Sequence, residues 1–305
     1  MVCIDRQIYI GYNVLDVNTK AEGKGTVEKT GCMNRTLYVS DLDGTLLRSD
    51  QTTSDYTNRV INQLTEKGVI FSYATARSVY SSRIVTRGLN AAIPIVLYNG
   101  AMILDLKTQK ILDSAFFDSD VYPLLDELFA AGIYPTVYAM VDGRERFSNL
   151  PAKSSKGTLD FIASRSDARK RIVKTEAELI AGDLFYLTCI ETPEKIGPFY
   201  EKYRDVFHCV YQKDIYSGEQ WLEIMPKGAT KAAAIQRLEA LTGCSRLVVF
   251  GDGKNDLEMF WIADEAYATE NAVPELKQIA TGVIGNNDED AVAHWLEENA
   301  MNCRE

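Results

Sequence analysis

Histidine is scarce in this sequence: His208 and His294 are the only two among 305 residues, and neither has partners at metal-ligand spacing. An imidazole-based catalytic apparatus or a His-rich metal centre is therefore not expected. The six cysteines (Cys3, Cys32, Cys189, Cys209, Cys244 and Cys303) form no C-x-x-C pair, so reduced thiols are expected in place of a zinc site or a disulfide framework. Long apolar runs are also missing; segments such as Leu247 to Phe250 fall far short of the roughly 18 residues that suggest a membrane span. The opening residues, Met1-Val2-Cys3-Ile4-Asp5-Arg6, lack the basic-then-apolar order of a secretory signal, so a cytoplasmic protein without a membrane partner is expected. Positive charge is in deficit, with 33 Lys and Arg against 43 Asp and Glu and a formal net charge of -10. That balance argues against a nucleic-acid partner, and any phosphate-bearing ligand must be captured by local cations against the overall field. Carboxylates are left to carry the chemistry.

What is present is an ordinary globular composition, 46% hydrophobic and 25% charged, long enough for one large domain or two smaller ones. Residues 1–34 read as an N-terminal extension: Ile8 to Val17 suits a short strand, Asn18 to Gly31 a linker, and Met33 stands as an alternative start. The extension is expected to be dispensable, the alternative being an added strand or a partner-binding arm. Strand and helix then alternate. Leu37 to Leu42 reads as a buried strand, and Thr53-Ser54-Asp55 offers caps to a helix carrying Val60, Ile61 and Leu64. Val69 to Tyr73 reads as a second strand, Ser78 to Arg87 as a helix, and Ile95 to Tyr98 as a third strand. This grammar predicts an α/β fold, a Rossmann-like parallel sheet with helices on both faces and sites beyond the carboxyl ends of its strands.

From about Asp113 the pattern becomes mixed, with a helix at Val121 to Ala131, a hairpin turning at Asp142-Gly143, and strands at Leu184 to Glu191 and Phe207 to Gln212. The chain is expected to return to the first domain with a strand near Trp221 to Met225. The predicted partition is thus 35–112 with 220–305 for the core and 113–219 for an inserted α/β domain. No feature speaks to oligomeric state.

The run Tyr38-Val39-Ser40-Asp41-Leu42-Asp43-Gly44-Thr45-Leu46-Leu47 ends an apolar strand in two carboxylates. If the strand continued, Asp41 and Asp43 would project to one side and call for a cation; a bare D-x-D-G also reads as a simple turn. Three further segments follow in order: Ala74-Thr75-Ala76-Arg77, Lys227-Gly228-Ala229-Thr230-Lys231 and Gly251-Asp252-Gly253-Lys254-Asn255-Asp256. Together they resemble the four motifs of the haloacid dehalogenase (HAD) superfamily, and in order and spacing its Cof-type branch, whose α/β cap lies between motifs two and three. The resemblance runs from about Thr36 to about Glu297.

The resemblance implies a Mg²⁺-dependent phosphatase acting through an aspartyl-phosphate. Asp41 would be the nucleophile and Asp43 the general acid and base. Thr75 and Lys231 would bind and neutralise the phosphoryl group, with Leu42, Ala76 and Asn255 also on the phosphate. Asp41, the Asp43 carbonyl and Asp252 would hold Mg²⁺, with Asp256 in or behind that shell. These roles suit the chemistry, because a carboxylate can form an acyl-phosphate and magnesium prefers hard oxygen ligands. Lys227, four residues before Lys231, is a competitor on the same helical face. Asn99 is expected to line the same cleft.

Two positions depart from the family pattern, which has glycine where this chain has Ala76 and Ala291. If the former demanded positive φ, alanine would cost on the order of 1 kcal/mol and alter the phosphate loop. In the insertion, Arg165, Arg169, Lys170, Arg171 and Lys174 form a basic cluster that reads either as a solvated face or as a receptor for an anionic substrate. Tyr134, Tyr138, Phe185, Tyr186, Phe199 and Tyr203 read as core of that insertion. The expected function is hydrolysis of a small phosphorylated metabolite, a sugar phosphate or phosphorylated cofactor. The alternatives are a phosphomutase and a non-catalytic phospho-ligand-binding protein.

Overall fold

The computed structural model describes residues 35–90, 94–213 and 218–300. Strand Thr36–Ser40 lies between Ile70–Tyr73 and Arg246–Gly251 in a five-stranded sheet that continues through Glu265–Ala268 to Gly282–Val283. Every pairing in it is parallel. Its strands are nearly continuous runs of buried residues, as parallel strands covered on both faces must be. Leu37 and Val39 pack on Ala234, Ile235 and Leu238 of helix Lys231–Thr242. Tyr38 faces the other way, towards Val60, Ile61 and Leu64 of helix Asp55–Glu66 and Val292, Ala293 and Leu296 of helix Ala291–Asn299. Strand Ile95–Leu97 extends this layer through a parallel bridge between Ala74 and Val96, then folds back antiparallel onto Met102–Asp105 and Lys110–Ser114.

The insertion forms a six-stranded sheet in the order His208–Lys213, Gln220–Met225, Asp183–Ile190, Thr136–Val141, Arg144–Asn149, Lys170–Ile172. All its pairs are antiparallel except the last. One face packs Val137, Leu187, Leu222 and Ile224 against helices Val121–Ala130 and Pro193–Tyr203. From the other face Tyr138, Phe147 and Tyr186 join the core cluster that holds Tyr98 and Met102. The fold is thus a parallel α/β core bearing an inserted α/β cap, the class read from the alternation of elements.

Three details differ from the sequence reading. Strand Gln220–Met225, expected to bring the chain back into the core sheet, lies between two cap strands. Its alternation explains why: Leu222 and Ile224 serve one face of an antiparallel sheet, whereas a core strand would be apolar on both. The boundary expected at 219/220 therefore cuts through the cap sheet, and the core resumes beyond Met225. The strand expected over Leu37 to Leu42 ends at Ser40. The extension expected at 1–34 lies outside the described residues. Among the described residues, no helix is long and apolar enough to cross a membrane, and Cys189, Cys209 and Cys244 are free thiols.

Candidate active site

The site lies where three adjacent parallel strands end together. The Asp41 amide donates to the Phe250 carbonyl at 2.9 Å, and the Ala74 amide to the Ser40 carbonyl at 2.9 Å. Asp41, Asp252 and Thr75 are therefore brought to one edge of the sheet, the crevice that α/β folds use for ligands. Beyond Asp41 the chain turns at once through Leu42–Leu46, closed by the Leu47 amide on the Leu42 carbonyl at 2.8 Å. Gly44 makes the turn possible: its φ is +77°, and a Cβ there would lie 2.3 Å from Asp252 Oδ2. Because of this turn Asp41 and Asp43 do not project side by side from a strand. Asp41 is buried, while the Asp43 side chain is 41% exposed and gripped by the Arg77 guanidinium, Nε at 2.8 Å and Nη2 at 2.5 Å.

Lys231 opens its helix, which Thr230 caps by accepting from the Ala233 amide at 3.1 Å. The buried Lys231 Nζ stands 2.6 Å from Asp41 Oδ1 and 2.7 Å from Asp256 Oδ1. The other Asp256 oxygen accepts from the Asp252 and Gly253 amides at 3.0 and 2.9 Å. Asp256 thus shapes the loop and orients the lysine. Asp252 Oδ1 accepts from Thr45 Oγ1 at 2.9 Å.

Asp41, Asp252 and Asp256 offer oxygens that all lie within 4.8 Å of one another. Three carboxylates against one ammonium leave an excess of two negative charges in a buried place. Burial pushes the Asp41 carboxyl well above its ordinary value; Lys231 opposes this, and Asp256, Asp252 and Asp43 reinforce it. Asp252 is pushed up to about 6 by burial and by Asp256, with the Thr45 hydrogen bond and Lys231 working the other way. Burial alone would lower the Lys231 ammonium, but Asp256 and Asp41 hold it above its ordinary value. An oxygen-only donor set whose excess charge equals that of one divalent cation fits a hard ion such as Mg²⁺.

The remaining candidates fall around this centre. Thr75 is fully buried, and its Oγ1 accepts from the Arg77 amide at 3.1 Å. Leu42 is buried within the turn after Asp41. Ala76 is exposed and is not among the residues with positive φ, so the backbone strain considered for alanine does not arise. Asn255 is exposed on the Lys254–Asp256 turn. The competitor Lys227 is exposed and bonds the Asp205 carbonyl at 3.0 Å, away from the carboxylates. Asn99 is buried and donates its amide to the Thr75 carbonyl at 3.0 Å.

Sequence reasoning passed over Arg77, Gly44 and Thr45 as site residues; all three stand inside the quoted motifs, but their partners lie far along the chain, that of Thr45 207 positions away. The basic cluster of the cap is largely committed within the protein. Arg169 pairs with Asp167 and Glu145, Arg171 bonds the Glu178 carbonyl at 2.6 Å, and Lys170 bonds the Ile162 carbonyl at 2.8 Å. Of the aromatics read as insertion core, Tyr203 packs in the cap interior with Tyr134 and Phe199 against it, whereas Tyr138, Phe185 and Tyr186 meet the core.

A family model of haloacid dehalogenase-like hydrolases matches residues 38–296. YwtE of Bacillus subtilis, named 5-amino-6-(5-phospho-D-ribitylamino)uracil phosphatase, is 26% identical over 278 residues, covering 85% of this chain and 96% of its own. YitU of the same organism and the same name is 26% identical over 284 residues, covering 86% and 96%. The crystal structure of TM0651 from Thermotoga maritima superposes with a TM-score of 0.71 at 26% identity, over 87% of this chain and 97% of that one. With the family match reaching from the strand before Asp41 to the last described helix, the chain belongs to the haloacid dehalogenase-like hydrolases.

Proposed function

We propose that this protein is a Mg²⁺-dependent phosphatase that hydrolyses a small phosphorylated metabolite, a sugar phosphate or phosphorylated cofactor, by way of an aspartyl-phosphate on Asp41. The observation that carries the reading is the buried Asp41 carboxylate at the strand edge, 2.6 Å from Lys231 and within metal-sharing distance of Asp252. Asp41, Asp252 and the nearby Asp43 carbonyl would hold Mg²⁺, which when bound neutralises phosphoryl oxygens and aligns them for displacement. The chain's own groups divide the remaining work. An Asp41 oxygen attacks phosphorus as the bond to the leaving oxygen breaks, and Asp43 gives that oxygen its proton. Asp43 then takes a proton from water, whose oxygen attacks the same phosphorus and frees Asp41 and phosphate. Lys231 and Thr75 stabilise the charge on the transferring group in both displacements.

YwtE and YitU are named for a phosphate ester of a ribityl chain, so phosphorylated polyols belong in the substrate panel beside sugar phosphates. The test is phosphate release from that panel with and without Mg²⁺, for the parent and for Asp41→Asn. The parent is expected to turn over only with the metal, and the variant to fold normally and release none. Near-parental release by Asp41→Asn, or equal rates without divalent metal, would overturn the reading.

A further inference from the structure

Core and cap meet, among other places, at the short turn Tyr98-Asn99-Gly100, whose backbone is left-handed throughout, with φ of 53°, 51° and 100°. For a residue as bulky as tyrosine this conformation is strained and persists only where its surroundings impose it. The cap supplies much of that constraint. The Tyr98 ring is buried with its centroid 5.2 Å from Phe185, 5.5 Å from Tyr186 and 5.6 Å from Tyr138, all on cap strands. Its hydroxyl donates to Glu145 and accepts from Arg169 Nη1 at 2.7 Å. Arg169 is in turn anchored by Asp167, at 2.8 and 2.9 Å, and by Glu145 at 2.6 Å. Asn99 and Glu223 both lie beside the buried Tyr186 hydroxyl, whose value burial and Glu223 push up.

On its other side the same turn holds the catalytic loops. The Tyr98 amide donates to the Arg77 carbonyl at 3.2 Å and the Asn99 amide to the Thr75 carbonyl at 3.0 Å. Arg77 carries the fork on Asp43. Gly100 lies so close to the Thr230 carbonyl that a Cβ would sit 2.0 Å from it, and Thr230 caps the helix that begins with Lys231. A tyrosine hydroxyl tied into a buried ion-pair network is an orientation-specific link. Apolar packing alone would join the two parts with less desolvation.

We propose that Tyr98 is a positioning residue: the docked cap grips its ring and hydroxyl, and the turn so held fixes the Thr75 and Arg77 carbonyls and, through the Arg77 fork, the Asp43 carboxylate. The proposal rests on the phosphatase reading. Asp43 is then aligned for proton transfer only when Glu145 and Arg169 of the cap are in place, which ties chemistry to substrate enclosure. It explains why the most basic residue cluster of the cap contacts a core tyrosine.

The test compares Tyr98→Phe, Arg169→Gln and the double variant on two esters, the fastest alkyl phosphate of the panel (glycerol 1-phosphate as reference) and p-nitrophenyl phosphate, with thermal unfolding alongside. Departure of an alkoxide needs the Asp43 proton, whereas nitrophenolate leaves without one. Each single variant is expected to lower kcat/KM, which reads the first displacement alone, at least tenfold for the alkyl ester and no more than about threefold for p-nitrophenyl phosphate, while kcat, which includes hydrolysis of the shared aspartyl-phosphate, falls on both. The double variant should be no slower than the slower single, because both act through one link. Equal losses of kcat/KM on both esters, losses that add in the double variant, or unchanged kcat/KM on the alkyl ester would overturn the proposal. A parent that hydrolyses neither ester would instead sink the phosphatase reading on which it rests.

Discussion

The excess of negative charge around Asp252 predicts how stability should respond to pH and magnesium together. A carboxyl whose folded-state value lies above its unfolded one favours folding at low pH and loses that advantage as pH rises through the folded value. For Asp252 the ordinary value is 3.8 and the folded one about 6, so the loss falls between about pH 4 and pH 7. Two units correspond to about 3 kcal/mol, and Asp41, shifted in the same direction, adds to it. Because part of that loss is already complete at pH 5, about one unit below the folded value, the metal-free protein should be less stable at pH 7.5 than at pH 5 by at least about 1.4 kcal/mol, roughly 3 °C in Tm for a domain of this size. Mg²⁺ binds the ionised carboxylates and should reverse the loss, so its stabilisation should be large at pH 7.5 and small at pH 5, where protons compete. Asp252→Asn isolates the effect: the amide oxygen can still accept from Thr45 Oγ1, but one buried negative charge is gone. Without metal at pH 7.5 this variant should melt several degrees above the parent and gain almost nothing from magnesium. Differential scanning fluorimetry at the two pH values, with and without MgCl2, reads all of these. Equal magnesium shifts at both pH values, or an Asp252→Asn protein that melts below the metal-free parent, would refute the charge-excess argument.

Gly44→Ala should strain a φ of +77° by about 1 kcal/mol and drive the new methyl into Asp252, which lies 2.3 Å from it. The magnesium concentration for half-maximal activity should rise at least tenfold, and an unchanged value would mean that Asp252 is not a ligand. Lys231→Met removes the cation shared by Asp41 and Asp256, and breaking a buried pair costs about 3–5 kcal/mol. Urea unfolding should show a loss of that order at pH 7.5 and a smaller one at pH 5; a neutral result would remove Lys231 from the charge balance. Asp43→Ala should hydrolyse p-nitrophenyl phosphate with a burst approaching one equivalent of nitrophenolate and then turn over slowly, since the second displacement still lacks its base. Mass analysis of the peptide holding Asp41 should find the phosphoryl adduct, and absence of both burst and adduct would deny Asp43 its role.

The main architecture was legible because it rests on local pattern. Buried runs such as Val69 to Tyr73 alternate with helical spacings such as Val60, Ile61 and Leu64, and that grammar has few solutions. Asp41, Asp252, Asp256 and Lys231 could be picked out because they stand at fixed places in short motifs. The convergence of Asp41, Asp252 and Asp256 around Lys231 follows from parallel strands ending in register. Two kinds of information were not local. Strand Gln220–Met225 looked like a return to the core because its length and apolar content suit either sheet; the alternation at Leu222 and Ile224 fits a sheet with one buried face, and its neighbours, Asp183–Ile190 and His208–Lys213, assign it to the cap. The fates of Asp43, Arg77 and Arg169 were equally hidden. Each is an exposed-looking charge in sequence, and its partner is set by loops that meet only in the folded chain.

The central pairing of the core has a consequence for how the chain must fold. Strand Thr36–Ser40 has one neighbour a short way along the chain, at Ile70–Tyr73, and the other at Arg246–Gly251, beyond the entire cap. Lys231 likewise reaches Asp41 across 190 residues. During synthesis the first strand therefore waits with an open hydrogen-bonding edge, and the buried carboxylate without its counter-charge, until the cap has been made and passed. Such an edge invites pairing with other chains. The cap, which closes its own mostly antiparallel sheet from residues 136 to 225, is placed to fold first and bring the two halves of the core within reach. A chain that stopped after residue 225 would then hold a finished cap on an unfinished core with an open strand edge, so the order of the elements makes arrival of strand Arg246–Gly251 the step that closes that edge.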